Sequence, residues 1–463
     1  QIQELFKLTK KFEKSNSRGE LWLRLAELYV EKSTLVDTRK QDMYDRQLRA
    51  FQDGKTKSKP KLDTSEAKEY NRKAVQLYEW FIRDYPKDEK MSQALFFLGY
   101  NYFELGDAKK GSLYYDQLTK NYPKSPFVGE AHFALGENDF ENEKWVDAYK
   151  QYAYLIKQKK HRLHTFSMYK GGWCLYRMGK TEEAIKYMDF IIRMGKPTDK
   201  AENDAGSKRS VNHSRLENEA LRDIVVFFAD LGDTGRAIKY FQNIGGSDKS
   251  SYLEKLAYYF ADRGNREASK EVFHYLIKAQ PMSKKAFEYQ YQIVQSYFYA
   301  KNSPQFKEEL YRWINDYNRN SSWTQNNQND KAFLENVYKL REQTLRNYVL
   351  QQHQTAQNSR AKFSQQSAFD GYQLYFQEFS DSPATPDMHF FFAELLYDMG
   401  KYEEASANYT WVAEKAPTSK FAAKSAQNLL LSIEKALPKD DDLQKRVGDS
   451  IEPIALDPRV EKF

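Results

Sequence analysis

The sequence lacks several features that would narrow its structural class. It has one cysteine in 463 residues, Cys174, so no intramolecular disulfide can form and cysteine usage does not identify a redox compartment. Because Cys174 falls within a predicted helix, we expect it to be a small buried apolar residue. Glycine and proline are sparse, with 20 and 13 residues, whereas tyrosine and phenylalanine number 34 and 30. This balance favours helices that pack through aromatic faces over a sheet-rich or disordered chain.

Long runs of one charge or of apolar residues are also missing. The 72 basic and 65 acidic residues give a net charge of +7. Without a long Lys/Arg block, nucleic acid is not an expected partner. No apolar run reaches the length of a membrane span, although association with a membrane-bound complex remains compatible with the sequence. The chain starts at Gln1 rather than methionine, which suggests a processed or trimmed product and leaves room for a removed signal peptide or lipid-bearing N-terminus.

Motifs of common catalytic sites are absent as well. Gly54–Thr56 and Gly179–Thr181 both read Gly-Lys-Thr. A phosphate-binding loop requires another glycine five residues before the glycine of the Gly-Lys pair. Arg49 and Cys174 occupy those positions instead. The sequence has no GxSxG, HExxH or paired CxxC motif. We therefore expect no enzymatic activity, no cofactor and no metal site.

The most informative stretch is 94–123, ALFFLGYNYFELGDAKKGSLYYDQLTKNYP. It predicts a helix, a turn at Gly106 and a second helix that ends at Pro123. The small residues Gly99 and Gly111 would let the two helices approach closely, and Gly106 permits a turn that a β-carbon would hinder. The 12-residue spacing of Gly99 and Gly111 recurs at Gly136 and Ala148 and at Gly172 and Ala184. The five-residue spacing of the turn glycine Gly106 and Gly111 recurs at Gly232 and Ala237, Gly264 and Ser269, and Gly400 and Ala405.

These offsets resemble the tetratricopeptide repeat, a helical hairpin of about 34 residues. The resemblance covers roughly 20–437 and is strong over 67–281 and 385–420. It implies an all-α fold: a right-handed α-solenoid of tetratricopeptide and similar helical hairpins, closed by a C-terminal capping helix at 421–437.

The second helices end in "YP" or "AP", as in WFIRDYPKDEK at 80–90 and WVAEKAPTSKF at 411–421. These endings resemble bacterial envelope members of the family, such as the outer-membrane-assembly lipoprotein BamD and the Tol–Pal-associated coordinator. The opening hairpin together with ALFFLGYNYFELGD resembles tetratricopeptide proteins of gliding motility. The resemblance implies a periplasmic protein or one at the inner face of the outer membrane, with the cytoplasm as the alternative.

The pattern predicts six segments along the chain. They are N-terminal helices with an extended helical hairpin at 1–90, regular repeats with an aromatic groove at 91–197, a polar insertion and two further repeats at 198–283, degenerate helical hairpins at 284–384, a repeat and capping helix at 385–437, and a charged tail at 438–463. The extended hairpin should turn at Gly54–Pro60. Polar stretches at 198–215 and 319–330 predict loops, 331–357 predicts a long helix, and 351–366 is Gln/Ser-rich.

In this family five places of each first helix usually line a concave groove. Transferred to three consecutive repeats, these places give a candidate partner-binding site composed of Phe96, Tyr100, Phe103, Phe133, Glu137, Phe140, Phe166, Tyr169, Trp173, Tyr176 and Arg177. A large apolar concavity of this kind predicts binding of an apolar or amphipathic polypeptide segment. The alternative is that these aromatic side chains pack against the next helix and fill the interior of the solenoid.

The expected function is therefore a non-catalytic scaffold or adaptor within an envelope- or motility-associated complex. The alternative is a chaperone-like periplasmic module that binds polypeptides during outer-membrane protein or lipoprotein handling. The sequence leaves the partner's identity and the oligomeric state open.

Overall fold

The computed structural model describes residues 1–439 apart from 14, 16, 195–207, 245–248, 300–302 and 360, together with 441, 444, 445, 448 and 455. These residues form 21 helices and no strand. The helices are α1 (Ile2–Lys11), α2 (Arg18–Gln52), α3 (Ser65–Asp84), α4 (Met91–Glu104), α5 (Ala108–Asn121), α6 (Val128–Glu141), α7 (Trp145–Ile156), α8 (His164–Arg177), α9 (Thr181–Met194), α10 (Lys208–Leu231), α11 (Thr234–Ile244), α12 (Lys249–Asp262), α13 (Arg266–Ala279), α14 (Lys284–Tyr299), α15 (Ser303–Asp316), α16 (Ser322–Asn326), α17 (Lys331–Ser359), α18 (Lys362–Phe379), α19 (Thr385–Asp398), α20 (Tyr402–Lys415) and α21 (Ala422–Ala436). The predicted all-α fold of helical hairpins is confirmed.

The chain divides into two compact units, Gln1–Tyr259 and Phe260–Phe463, with α12 spanning the boundary. Within each unit a helix packs mainly against the helices that precede and follow it in sequence. This neighbour-to-neighbour packing is typical of solenoid proteins, in which each hairpin buries its apolar face against the next. In the first unit α8 also contacts α10, the first helix of the following hairpin.

The hairpin turns follow one backbone pattern. Gly106, between α4 and α5, has φ 85°, and the glycines at 179, 232, 264 and 400 have φ values of 74–77°. The α6–α7 turn has Glu143 in the same place, with φ 58°. Its backbone N–H bonds to the carbonyl of Phe140, just as that of Gly106 bonds to Phe103. A glutamate therefore adopts a left-handed conformation that its β-carbon disfavours.

Close approach of the two helices explains the small residues within the repeats. A β-carbon on Gly99 would lie 2.7 Å from the ring of Tyr115, and one on Gly136 would lie 2.7 Å from the ring of Tyr152. The phenol of the second helix therefore rests directly on the backbone of the first. The role predicted for Gly99 is confirmed.

The same second-helix tyrosine can satisfy a carboxylate within its own hairpin. The hydroxyl of Tyr152 donates to Glu137, and that of Tyr409 donates to Glu394, across 15 residues in both cases. One pair lies in the first unit and the other in the second. Burial, reinforced by this hydrogen bond, raises the pKa of both phenols well above its usual value.

Helices α2 and α3 are the two helices of the stretch in which the sequence predicts an extended hairpin. Helix α2 has 35 residues and α3 has 20, and the 53–64 connection contains Gly54 at φ 72°. The last buried residue of α2 is Val36, and no residue from 37 to 66 is buried. We call residues 37–66 the projecting hairpin.

Two predicted loops are corrected. Residues 208–215 belong to α10 rather than to a loop; they are polar but contain neither glycine nor proline to interrupt a helix. The predicted loop at 319–330 contains α16, because Ser321 caps its N-terminus and Trp323 is buried with its indole N–H 2.7 Å from the carbonyl of Ser283. The Gln/Ser-rich stretch 351–366, for which the sequence predicted no structure of its own, contributes residues 351–359 to α17 and 362–366 to α18.

Other predictions have simpler outcomes. The long helix at 331–357 and the terminal helix at 421–437 correspond to α17 and α21. Cys174 is fully buried, and this burial raises the pKa of its thiol to about 12. Residues 198–207 and most of the 438–463 tail lie outside the described residues. Within the part of the chain that the structure describes, no helix combines the length and apolarity that crossing a bilayer requires.

Candidate protein-binding surface

All eleven predicted binding residues lie on α4, α6 and α8, the first helices of three consecutive hairpins. Side-chain contacts link these helices in series. Phe96 of α4 stacks on Phe127, the residue immediately before α6, at 4.9 Å between ring centroids. Lys170 of α8 donates to Glu137 of α6 at 3.0 Å. We call the solvent-facing side of these three helices the α4–α8 surface.

On α4 the predicted aromatic side chains are half-buried. Phe96 packs against Tyr115 as well as Phe127, and Phe103 stacks on Tyr115 at 5.5 Å. Tyr100 is also half-buried, and burial together with the nearby Glu104 carboxylate raises its pKa. These side chains contribute to the α4–α5 packing and keep part of their surface open to solvent.

On α6 the predicted acidic group is already engaged. Glu137 accepts hydrogen bonds from the hydroxyl of Tyr152 and the ammonium of Lys170. Phe133 meets Tyr152 edge to face at 5.8 Å. Phe140 lies under the Lys170 ammonium, 4.6 Å from its ring centroid. The charge of Glu137 is therefore balanced within the fold, while Phe133 and Phe140 remain half-exposed.

On α8 the next first helix covers three of the predicted residues. The Tyr169 hydroxyl donates to Asp223 of α10 at 2.5 Å, and the Trp173 indole N–H donates to the same carboxylate at 2.9 Å. Tyr176 stacks on Phe227 at 4.4 Å and also hydrogen-bonds a carboxylate of α10. Here the structure shows the packing arrangement that the sequence left as an alternative.

Two residues at the ends of α8 are more accessible. Phe166, in its first turn, is 42% exposed, and Arg177, its last residue, is exposed. The Arg177 guanidinium lies 5.6 Å from the Trp145 ring and 5.9 Å from the Trp173 ring. Cation–π contacts of this kind hold the guanidinium in place without using its hydrogen-bond donors.

The residues of α10 that meet α8 were not identified from the sequence. They are Asp223, Phe227 and Asp230. When the groove places of the repeat are transferred to α10, they fall on Val226 and Ala229 instead. The useful signal was the spacing of the polar and aromatic residues at i, i+4 and i+7, which places them on one face of a helix.

A comparison with protein-family models matches the tetratricopeptide repeat to residues 93–125 and 166–189. The first match spans α4 and α5, and the second covers most of α8 and part of α9. The chain thus carries tetratricopeptide repeats in the part that forms the α4–α8 surface. No curated protein matches the sequence.

Several solved structures are similar to this chain over much of its length and of their own. One is a chain of Naa15/Naa10 bound to HypK-THB, with 13% identity and a TM-score of 0.32, covering 96% of this chain and 71% of that chain. A second is a tetratricopeptide repeat protein from Parabacteroides merdae, with 12% identity and a TM-score of 0.29, covering 74% and 99%. A third is the TPR2AB domain of yeast Sti1 in a complex with pHSP90, with 9% identity and a TM-score of 0.24, covering 75% and 99%.

Proposed function

We propose that the protein is a scaffold or adaptor that holds a partner polypeptide against the α4–α8 surface. The observation that carries the proposal is the run of incompletely buried aromatic side chains along three consecutive first helices. Tetratricopeptide repeats typically act as protein-interaction modules, and two matched stretches contribute to this surface. Aromatic residues with charged neighbours also have the composition of interface hot spots.

The chemistry of the surface favours an apolar or amphipathic segment. Tyr100, Phe133 and Phe166 offer partly exposed rings, whereas Glu137 is already paired with Lys170. Arg177 supplies an accessible cation at the end of α8. An amphipathic helix or an extended segment with an acidic residue near Arg177 would suit this arrangement.

The cellular setting belongs to the same proposal. Resemblance of the "YP" and "AP" helix endings to envelope tetratricopeptide proteins supports a role in a bacterial envelope or motility-associated assembly. The location would be the periplasm or the inner face of the outer membrane.

Substitutions on the α4–α8 surface test the proposal. The test variant carries Tyr100→Ser, Phe133→Ser and Phe166→Ser. Its matched control carries Leu113→Ser, Val146→Ser and Phe190→Ser, which replace exposed apolar residues of second helices. The predicted binding residues that α10 covers are left unchanged, because Trp173 and its neighbours also support the packing of α8 against α10.

Affinity capture identifies the partner, and titration with the purified partner measures the effect. Wild type and control should retain one dominant protein, whereas the test variant should bind it at least about tenfold more weakly, since hot-spot residues each carry 1 kcal/mol or more. Circular dichroism and thermal unfolding check that the variants remain folded. Equal affinities for the test and control variants would refute binding at this surface. A loss of many weak binders in place of one partner would favour the chaperone-like function.

A further inference from the structure

The end of the projecting hairpin concentrates much of the net positive charge. Residues 46–61 contain six basic side chains and one acidic side chain, a net charge of +5 in a chain whose total is +7. Lys55, Lys57, Lys59 and Lys61 alternate through the connection between α2 and α3. We call residues 46–62 the basic tip.

The basic tip is accessible and stands apart from the core of the first unit. Every residue from 52 to 59 is exposed. Gln52 ends α2 sixteen residues after Val36, the last buried residue of that helix, which corresponds to about 24 Å along a helix axis. The projecting hairpin therefore holds these lysines well away from Val36, where the buried part of α2 ends.

The carboxylates that the structure describes neutralise little of this charge. Lys55 pairs with Asp53 at 3.1 Å, and Lys40 further down the hairpin pairs with Asp63 at 3.6 Å. Among the described residues, no carboxylate lies within ion-pair distance of Lys57, Lys59 or Lys61. The apolar residue Leu62 follows Lys61 directly, and its side chain is 40% exposed.

We propose that the basic tip binds the surface of a bilayer containing anionic phospholipids. The four lysines are exposed and lie within seven residues of a non-helical connection, so they form a compact cluster of positive charge of the kind that anionic bilayer surfaces attract. Arg46 and Arg49 lie on α2, and the basic residues of the connection itself are all lysines, which act as compact point charges and lack the planar fork with which arginine recognises single carboxylates or phosphates. Leu62 adds an apolar side chain that can enter the headgroup boundary.

This inference does not depend on the α4–α8 surface. A bilayer contact at the basic tip would hold the first unit at a membrane while its helical hairpins remain free to bind protein. The two sites can be tested separately because they share no residue.

Vesicle co-sedimentation of the full chain provides the test. The vesicles contain phosphatidylcholine alone or with about 30% phosphatidylglycerol, at about 50 mM and about 500 mM NaCl. The test variant carries Lys55→Gln, Lys57→Gln, Lys59→Gln and Lys61→Gln. The matched control carries Lys124→Gln, Lys157→Gln, Lys159→Gln and Lys160→Gln, which remove the same charge from exposed positions outside the hairpin.

Wild type should bind the anionic vesicles at low salt, and binding should be lost at high salt or without phosphatidylglycerol. Each lysine near an anionic surface contributes roughly fivefold in affinity, so the test variant should bind on the order of a hundredfold more weakly or worse, and the control should stay within about tenfold of wild type. Leu62→Ser should weaken binding severalfold without changing its salt dependence.

Three outcomes would overturn the proposal. Wild type could fail to bind anionic vesicles, or the test and control variants could lose binding equally, which would indicate a response to net charge alone. The third is that a soluble polyglutamate peptide or duplex DNA binds in a tip-dependent manner while vesicles do not. That result would assign the basic tip to a different class of partner.

Discussion

The buried ion pair between Arg341 and Glu378 in the second unit allows a quantitative test of the packing described above. Their side chains are 2% and 9% exposed, and the guanidinium lies 2.9 Å from the carboxylate. Arg341 also donates to the backbone carbonyl of Ile314 and lies over the ring of Phe379, 5.3 Å from its centroid. Burial lowers the pKa of Arg341, and the pairing with Glu378 opposes that shift.

Removing one partner should destabilise α17 and α18 strongly. Arg341→Met leaves a buried carboxylate and Glu378→Met leaves a buried guanidinium, and each should cost about 3–5 kcal/mol. The double variant leaves no uncompensated charge; it should cost about 1–2 kcal/mol, mainly because the carbonyl of Ile314 loses its donor. The double variant should therefore lose several kcal/mol less stability than the sum of the losses in the two single variants.

Hydrogen exchange of peptides from α17 and α18 measures these differences locally, without assuming that the whole chain unfolds in one step. The matched control is Lys339→Met on α17, which breaks an exposed pair with Glu335 at 2.7 Å and should change local stability by no more than about 0.5 kcal/mol. Single variants as mild as this control would refute the reasoning. So would a double variant whose cost equals the sum of the two single variants.

Two further predictions concern a strained turn and a buried histidine. Glu143→Gly should stabilise the α6–α7 hairpin by about 0.5–1 kcal/mol, because relief of the left-handed conformation outweighs the added freedom of glycine in the unfolded chain. Gly106→Ala should destabilise the α4–α5 hairpin for the same reason. Hydrogen exchange measures both effects, and unchanged exchange rates in both variants would contradict this. His353 is buried with Nδ1 2.9 Å from the Tyr372 hydroxyl, and burial lowers its pKa to about 4. The histidine of the unfolded chain takes up a proton near pH 6.5, whereas the folded protein resists protonation down to about pH 4. The effect of His353 on the free energy of unfolding is therefore constant above pH 6.5, and stability should fall by up to about 3 kcal/mol between pH 6.5 and 4. Denaturant unfolding at several pH values should show a weaker acid dependence in His353→Gln, and an unchanged dependence would show that another group is responsible.

The regular hairpins were predictable because their constraints are local. Gly106 marks a turn and Gly99 marks close contact with Tyr115, and each signal is contained within one 30-residue stretch. The stretches predicted wrongly are those in which composition was used without such a constraint. Residues 208–215 look like a polar loop but continue α10, and Trp323 folds part of a polar stretch by packing into a core that sequence periodicity does not reveal.

The candidate site was predictable only in part. The transferred repeat places located the first helices correctly but could not show which residues the next helix covers. Asp223 binds both Tyr169 and Trp173 across 54 and 50 residues, and a separation of that size lies beyond one repeat. The left-handed Glu143 also escaped notice, because the α6–α7 turn has no glycine to mark it in the sequence, although its hydrogen bond and positive φ match those of the glycine turns.

The tyrosine–glutamate bond within a hairpin affects how such a chain can change in length. Tyr152 and Glu137, like Tyr409 and Glu394, satisfy each other inside one helix pair. A duplicated or recombined gene segment that encodes the whole pair would bring both donor and acceptor with it. Adding or deleting such a hairpin would keep each of these tyrosine–glutamate bonds whole. The apolar stacking faces would need to be matched again, together with the hydrogen bonds between hairpins that Glu137 accepts from Lys170 and Glu394 accepts from Asn428.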